Sequence, residues 1–464
     1  MKSYFSEEEL RKFYSVGESL LREIIEYWKN NSTKIDIPDL TNGELKKRLS
    51  ITENGIDLLT MEKMILKEIF PFTMPVSSNR YLGMMNPVPN PASVLGELLK
   101  AALNQNCSLY KQSPIGTLLE EVVVEWFGKL VGYSGDFFGT IVSGGSVGNL
   151  TGLKAARNEI DNNIRRKGLF NQKRLRFYVS KERHYSIDRA MDVLGLGLEN
   201  LVLVDVDGSF KLDTLDLERK IKRDIAEGFI PACVIGIAGT TNSGSVDDLK
   251  TLSEISKRYG CWFHVDAAYG GAALLLEDMN MFDGIEYADS VVIDPHKWFS
   301  IPLESGIVLF RNRKKLKENF SFHHSYYVVP DLDFEKNTNF FEYSLQGSRA
   351  FRALKIWMGL NYFGVSEYRN IVKKGVQNAK KLIVELEKID GIEVLCKPDL
   401  SIVLFYYKDC DMVKIYKKLE HDGKFWFSMT ELDGQVFFRI NLANMRMDEG
   451  DFEELVNYLK SLNR

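Results

Sequence analysis

The stretch VVIDPHKWFS, residues 291–300, sets an apolar run directly against an acid, a proline, a histidine and a lysine. A solitary lysine in such a place usually turns out to solvent. Lys297 is not solitary. The run CWFHV ends on Asp266 ahead of the small residues AAYGG, RFYVS leads through KER to His184, and TIV runs into SGGSVGN, residues 143–149. Each of these has an ordinary reading. A carboxylate can cap a turn, a histidine can be a structural hydrogen-bonding residue, and glycine-rich turns are common. Each also has a chemical reading. The first N–H groups of a helix can hold a phosphate, a buried carboxylate can balance a cation, an imidazole can stack on a flat ring, and a lysine can form a Schiff base.

All four stretches place their polar residues at the ends of apolar runs, and open α/β sheets bind ligands at the carboxyl ends of their strands. One cofactor uses the four together. Pyridoxal phosphate needs a lysine, a phosphate cradle, an acid facing its ring nitrogen and a group stacked on its face.

The elements that must position these residues follow from the hydrophobic pattern. RFYVS, NLVLVDV, ACVIGIA, CWFHVD, DSVVID and GIVLF alternate with helical stretches such as LDLERKIKRDIAEG and DDLKTLSEISKRYG. That alternation predicts an α/β domain with strands buried on both faces, over residues 76–349. Ahead of it, Ser6 and Glu9 form a capping-box pattern, and Phe13, Val16, Leu20, Ile24 and Trp28 recur at helical spacing. Residues 1–75 therefore read as a helical arm whose apolar stripe needs a partner, a neighbouring subunit being one candidate. Residues 350–464 begin with FRALKIWMGLNYFG and carry IEVLC, SIVLFYY and VFFRINLA between helices, a small α+β domain.

Composition narrows the function. The chain has 464 residues and a formal net charge of −4 with both signs interspersed, so no basic block exists to track nucleic acid. Five cysteines, at 107, 233, 261, 396 and 410, form no CxxC pair, which argues against a disulfide framework or a zinc knuckle; no metal is expected. No apolar run is long enough for a signal peptide or a membrane span, so a soluble cytoplasmic protein is expected.

SGGSVGNLTGL, HYS at 184–186, GTTNSG at 239–244, HVDAAYGG at 264–271 and DPHKW at 294–298 occur in the order of the pyridoxal-phosphate-dependent group II decarboxylases. The chain most resembles their aromatic-L-amino-acid decarboxylase branch, and the resemblance extends through NRYLGMMNPVPNP, SPIGTLLEEVV and GSRAFRALKIW. It implies the transferase-like fold type I with a mixed, mostly parallel sheet, and a homodimer with its sites at the subunit interface. It implies Lys297 as the Schiff-base lysine, Asp266 as partner of the ring nitrogen, His184 stacked on one face and Ala268 packed on the other. Gly145, Ser146 and His296 match phosphate-contacting positions, and Thr241 lies near the ring. One departure stands out: many relatives read GSEAN where this chain has GSVGN, so Val147 and Gly148 replace an acid and an alanine.

The same resemblance places Tyr81, Met84, Met85, Leu109 and Tyr110 around the substrate, with Gly347 at a position that limits side-chain size. These side chains are apolar or aromatic, and Arg80 and Lys111 are the cations of their segments. An aromatic L-amino acid (tryptophan, tyrosine, phenylalanine or a hydroxylated form) is expected over glutamate or histidine, with carbon dioxide and an amine as products. The segment FSFHHSYYVVPDLDFEKNTNFFEY resembles a mobile loop that supplies a tyrosine for protonation; Tyr327 matches it best, with Tyr326 the alternative. An aldehyde synthase and a non-catalytic homologue are the rival readings. The loop tyrosine argues against the first, and retention of Lys297, Asp266 and His184 against the second.

Overall fold

The computed structural model describes residues 5–30, 35, 38, 43–170, 174–277, 280–322, 337–395, 397–432 and 434–462. Strands β1 (Phe138–Val142), β2 (Leu175–Ser180), β3 (Leu201–Val204), β4 (Ile230–Ile237), β5 (Trp262–Asp266), β6 (Ser290–Ile293) and β7 (Gly306–Phe310) form one sheet in the order β1-β7-β6-β5-β4-β2-β3. Neighbours from β3 to β6 are parallel, and β7 runs antiparallel to both β6 and β1. Only β7 therefore opposes the others. All residues of β1, β5, β6 and β7 are buried, as strands covered by helices on both faces must be. The runs RFYVS, NLVLVDV, ACVIGIA, CWFHVD, DSVVID and GIVLF each overlap one of these strands.

This direction rule positions the chemistry. The carboxyl ends of β1, β2, β4, β5 and β6 share one edge, and from that edge leave the glycine turn at 143–145, the turn to His184, the Thr241 loop, Asp266 and the DPHK turn. The helix Gly145–Ile160 begins at the glycine turn and lies across the sheet closely enough that a Cβ at Gly148 would sit 2.7 Å from Val292 Cγ1. That contact gives Gly148, half of the departure from GSEAN, a packing reason.

A second, antiparallel sheet has the order β10-β11-β9-β8, from β8 (Ile392–Val394), β9 (Ile402–Tyr407), β10 (Ser428–Leu432) and β11 (Gln435–Asn441). The long helix Arg352–Leu386, broken by non-helical backbone at Gly364, runs from the large core into the smaller one. Residues 81–83 also belong with the small sheet. Leu82 N donates to Trp426 O and Asn441 N donates to Leu82 O, at 2.8 and 2.7 Å.

At the N-terminus the helix Glu7–Asn30 starts as its sequence predicts, with Ser6 Oγ accepting from Glu9 N at 3.3 Å. Its side chains Phe13, Tyr14, Leu21 and Ile25 are exposed, and Val16 is buried. Among the described residues, no helix is long and apolar enough to cross a membrane.

Candidate active site

A cleft of 360 Å³ opens at the carboxyl edge of the large sheet, and Gly145, Ser146, His184, Thr241, Asp266, Ala268, His296 and Lys297 all line it. The eight residues assigned to a cofactor from sequence are thus brought together from five strand ends. Asn149, Tyr269, Asp294 and Glu304 line it as well.

Lys297 follows β6 in a tight turn in which its N–H bonds to Asp294 O at 3.0 Å. Its Nζ lies 3.4 Å from Asp294 Oδ2, and His296 Nε2 lies 3.7 Å from the same oxygen. Asp294 is buried, and its Oδ1 has no hydrogen-bond partner among the described residues. His296 Nδ1 lies 2.6 Å from Ser305 O, which assigns the proton to Nδ1 and leaves Nε2 towards Asp294. Burial holds the His296 pKa below the ordinary imidazole value, with Asp294 opposing.

Across the cleft, Asp266 closes β5. Its Oδ2 accepts from Asn149 Nδ2 at 2.8 Å and its Oδ1 from Ala268 N at 3.1 Å. His184 caps the helix Tyr185–Val193: its Nδ1 accepts from Ser186 N at 3.2 Å and lies 2.9 Å from Ser186 Oγ. With Nδ1 accepting, the neutral ring carries its proton on Nε2. Burial lowers its pKa, Asp266 partly opposing, so the ring is uncharged at neutral pH. Thr241 is held from behind, its carbonyl accepting from Arg439 Nε at 2.8 Å, while Arg439 Nη1 donates to Gly83 O at 2.6 Å. One buried arginine so ties the small sheet to the cleft rim.

These donors fit pyridoxal phosphate. The N–H groups of Gly145 and Ser146 open a helix and have no intrahelical acceptor. The turn is a close cradle, where a Cβ at Gly145 would lie 2.9 Å from Asp294 Oδ2 and 3.2 Å from Ala268 Cβ. A buried carboxylate at Asp266 suits a protonated ring nitrogen, an uncharged imidazole at His184 suits a stacked ring, and Lys297 suits a covalent anchor.

The substrate set lies elsewhere in the single chain. Tyr81 is buried, its hydroxyl donating to Asn86 Oδ1 at 3.1 Å and its ring stacked 5.0 Å from Trp426. Met84 is exposed, and Met85 Sδ accepts from Asn441 Nδ2 at 3.5 Å. Tyr110 and Gly347 are exposed, and Leu109 is buried. None of them lines the cleft. Tyr326 and Tyr327 lie outside the described residues. Asp294, Asn149 and Arg439 join the site without a role expected from sequence; the first two stand inside the motifs DPHKW and SGGSVGN, and the third, in VFFRIN, carries no spacing signal.

Residues 47–408 match the pyridoxal-dependent decarboxylase conserved domain. The chain is 30% identical over 475 residues to an aromatic-L-amino-acid decarboxylase of Bacillus atrophaeus, covering 98% of this chain and 96% of the relative. It is 33% identical over 328 residues to an L-2,4-diaminobutyrate decarboxylase of Acinetobacter baumannii, covering 68% of this chain and 64% of the relative. Its fold matches the crystal structure of Oryza sativa TDC with PLP and tryptamine at a TM-score of 0.92, with 21% identity and 99% of each chain covered. On the domain match and the end-to-end likeness to a decarboxylase, this chain belongs to the pyridoxal-dependent decarboxylase family, with pyridoxal phosphate as cofactor and the decarboxylation of an amino acid as its reaction class.

Proposed function

We propose that the chain converts an aromatic L-amino acid to its amine and carbon dioxide. The observation that carries the substrate class is the position of Arg80. Its Nη1 donates to Glu454 Oε1 at 2.9 Å, Nη2 pairs with Oε2 of the same residue, and the guanidinium sits 5.1 Å over the Phe425 ring. This cation of the NRYLGMM segment is committed to the small domain and is not available to a distal carboxylate. Its neighbours Tyr81, Met84 and Met85 are uncharged. Of the acids lining the cleft, Glu304 is paired with Arg352 Nε and Nη2 at 3.0 and 2.7 Å, which disfavours its use for a cationic side chain such as that of 2,4-diaminobutyrate.

In this reading Lys297 anchors the cofactor, Gly145, Ser146 and His296 hold its phosphate, and Thr241 borders the ring. Asp266 keeps a proton on the ring nitrogen, neutral His184 covers one face, and Ala268 leaves room at the other. Bound there, the cofactor supplies the electron sink that loss of a carboxylate from the α-carbon requires. The protein's part would be orientation: the residues around this grip would fix which bond at the α-carbon is set to break. Tyr327 returns a proton to the α-carbon, so the product is an amine and not an aldehyde.

We also read the molecule as a homodimer. Exposed apolar residues stand on the helix Glu7–Asn30, and also at Leu95, Leu98 and Leu99 on the helix Pro91–Leu103 and at Ile115 and Leu118 on the helix Pro114–Val131. A second copy covers this surface, and Tyr110 and Gly347, which do not reach their own cleft, complete the partner's. The division at 75 and 349 is kept, with residues 81–83 packed on the small domain. Among the described residues, Cys107, Cys233 and Cys261 are buried and free, in keeping with a reducing cytoplasm.

The test is product analysis with reconstituted holoenzyme on tryptophan, tyrosine, phenylalanine, hydroxylated forms, glutamate, aspartate, histidine and 2,4-diaminobutyrate. One aromatic substrate is expected to give equal carbon dioxide and amine at about a hundredfold higher kcat/KM than any charged one. A charged substrate in first place overturns the aromatic reading, and aldehyde with ammonia overturns the amine.

A further inference from the structure

Trp262, His264 and Asp266 alternate along β5 onto one face, as the pleat requires, and their polar atoms are joined end to end. Trp262 Nε1 donates to Ser290 Oγ at 2.8 Å, and Ser290 Oγ lies 2.7 Å from His264 Nδ1. His264 Nε2 lies 3.0 Å from Asn149 Oδ1, and Asn149 Nδ2 donates to Asp266 Oδ2 at 2.8 Å. All five residues are buried.

The direction of every bond is set from both ends. A carboxylate only accepts, so Asn149 must turn its amide nitrogen to Asp266 and its oxygen to His264, which must then carry its proton on Nε2. An indole only donates, so the Ser290 hydroxyl keeps its own proton for His264 Nδ1. Both ends demand the same tautomer. Asn149 Nδ2 also donates to Ser186 Oγ at 2.9 Å, and Ser186 Oγ in turn reaches His184 Nδ1 at 2.9 Å. One amide thus meets the carboxylate and, through one hydroxyl, the imidazole on opposite sides of the cofactor grip. The space for His264 is made by Gly152, where a Cβ would lie 2.5 Å from His264 Cε1; glycine is otherwise unfavourable inside a helix.

We propose that His264, backed by Ser290 and Trp262, is a positioning residue that acts through Asn149 to hold Asp266 and His184 in place for the cofactor while touching neither cofactor nor substrate. The inference rests on the assignment of Asp266 to the ring nitrogen. Weakening the relay loosens Asp266 and leaves less positive charge on the ring.

The test compares Ser290→Ala, Ser290→Thr and Asp266→Asn by equilibrium binding of pyridoxal phosphate and by the pH midpoint of the bound cofactor's visible band. Ser290→Ala removes the donor to Nδ1 and is expected to weaken binding about tenfold and to raise the midpoint by about one pH unit. Ser290→Thr keeps the hydroxyl and is expected to stay within about threefold of the wild type, which a purely structural role for Ser290 would not give. Asp266→Asn is expected to move both readouts in the same direction and further. If Ser290→Ala does not fold, Trp262→Phe, which removes the first donor, carries the same expectation in reduced size. A wild-type midpoint in Ser290→Ala beside a shifted one in Asp266→Asn overturns the relay alone, whereas an unmoved Asp266→Asn overturns the assignment of Asp266 and the relay with it.

Discussion

Replacing His264 by glutamine removes a fully buried imidazole whose pKa burial pushes from 6.5 down to about 4, Asp266 partly opposing. The consequence for stability has a definite sign. An unfolded chain takes up a proton on this histidine near its ordinary value, while the folded chain does not until the pH nears 4, so acid favours unfolding. The stabilisation is fully present above the unfolded value and is lost as pH falls through the window between the two. Over the whole window the loss amounts to about 3 kcal/mol, and to about 2 kcal/mol by about pH 5. Asp247 works in the opposite direction, because complete burial raises its pKa to about 7, and its contribution is lost as pH rises. The raw pH profile of the wild type superposes both groups. A difference curve between wild type and His264→Gln isolates the histidine. Urea-unfolding midpoints taken across that range are expected to show the variant less stable at neutral pH, with the gap closing by about 2 kcal/mol by about pH 5. A gap that stays constant over this range would refute the claim that His264 is held buried and neutral.

Three further outcomes follow from other parts of the molecule. Arg349 is buried against Glu120, with Nη1 to Oε2 at 3.0 Å, and also donates to Thr140 Oγ1 at 2.7 Å; Arg349→Leu strands the Glu120 carboxylate and is expected to cost about 3–5 kcal/mol in denaturant unfolding, a loss below about 1 kcal/mol counting against it. In the proposed dimer, deleting residues 1–30 would expose the surface assigned to the arm, and size-exclusion chromatography is expected to show aggregated, inactive protein, not an active monomer. Tyr327→Phe removes the proposed proton donor, so amine formation is expected to fall about a hundredfold while aldehyde, ammonia and peroxide rise; an unchanged product ratio with a collapse in Tyr326→Phe would shift the role by one residue.

The gathering of the candidate site residues at one cleft was legible because each strand reads as a short apolar run and the residue types change abruptly where the run ends. Parallel strands then carry those ends to one edge, so Lys297, Asp266 and His184 meet although 113 positions separate the first from the last. The relay behind Asp266 was not legible. His264 sits inside an apolar run, Asn149 in the helix that follows the glycine turn, and Ser290 opens another strand, so that only the parallel register of His264 with Ser290 brings them together. The packing of residues 81–83 was hidden for a different reason. Their partners Trp426 and Asn441 lie more than three hundred residues on, beyond any local pattern. The substrate residues were placed by resemblance alone, and a single chain does not bring Tyr110 and Gly347 to the cleft.

The central claim is that Lys297 is the residue to which the cofactor is bound. Borohydride reduction of the reconstituted holoenzyme, followed by proteolysis and mass spectrometry, reads this directly. A pyridoxyl phosphate adduct is expected on the peptide containing DPHKW, located on Lys297, with loss of the visible band in step with the adduct. An adduct on another lysine, or a bleached band with Lys297 unmodified, would contradict it.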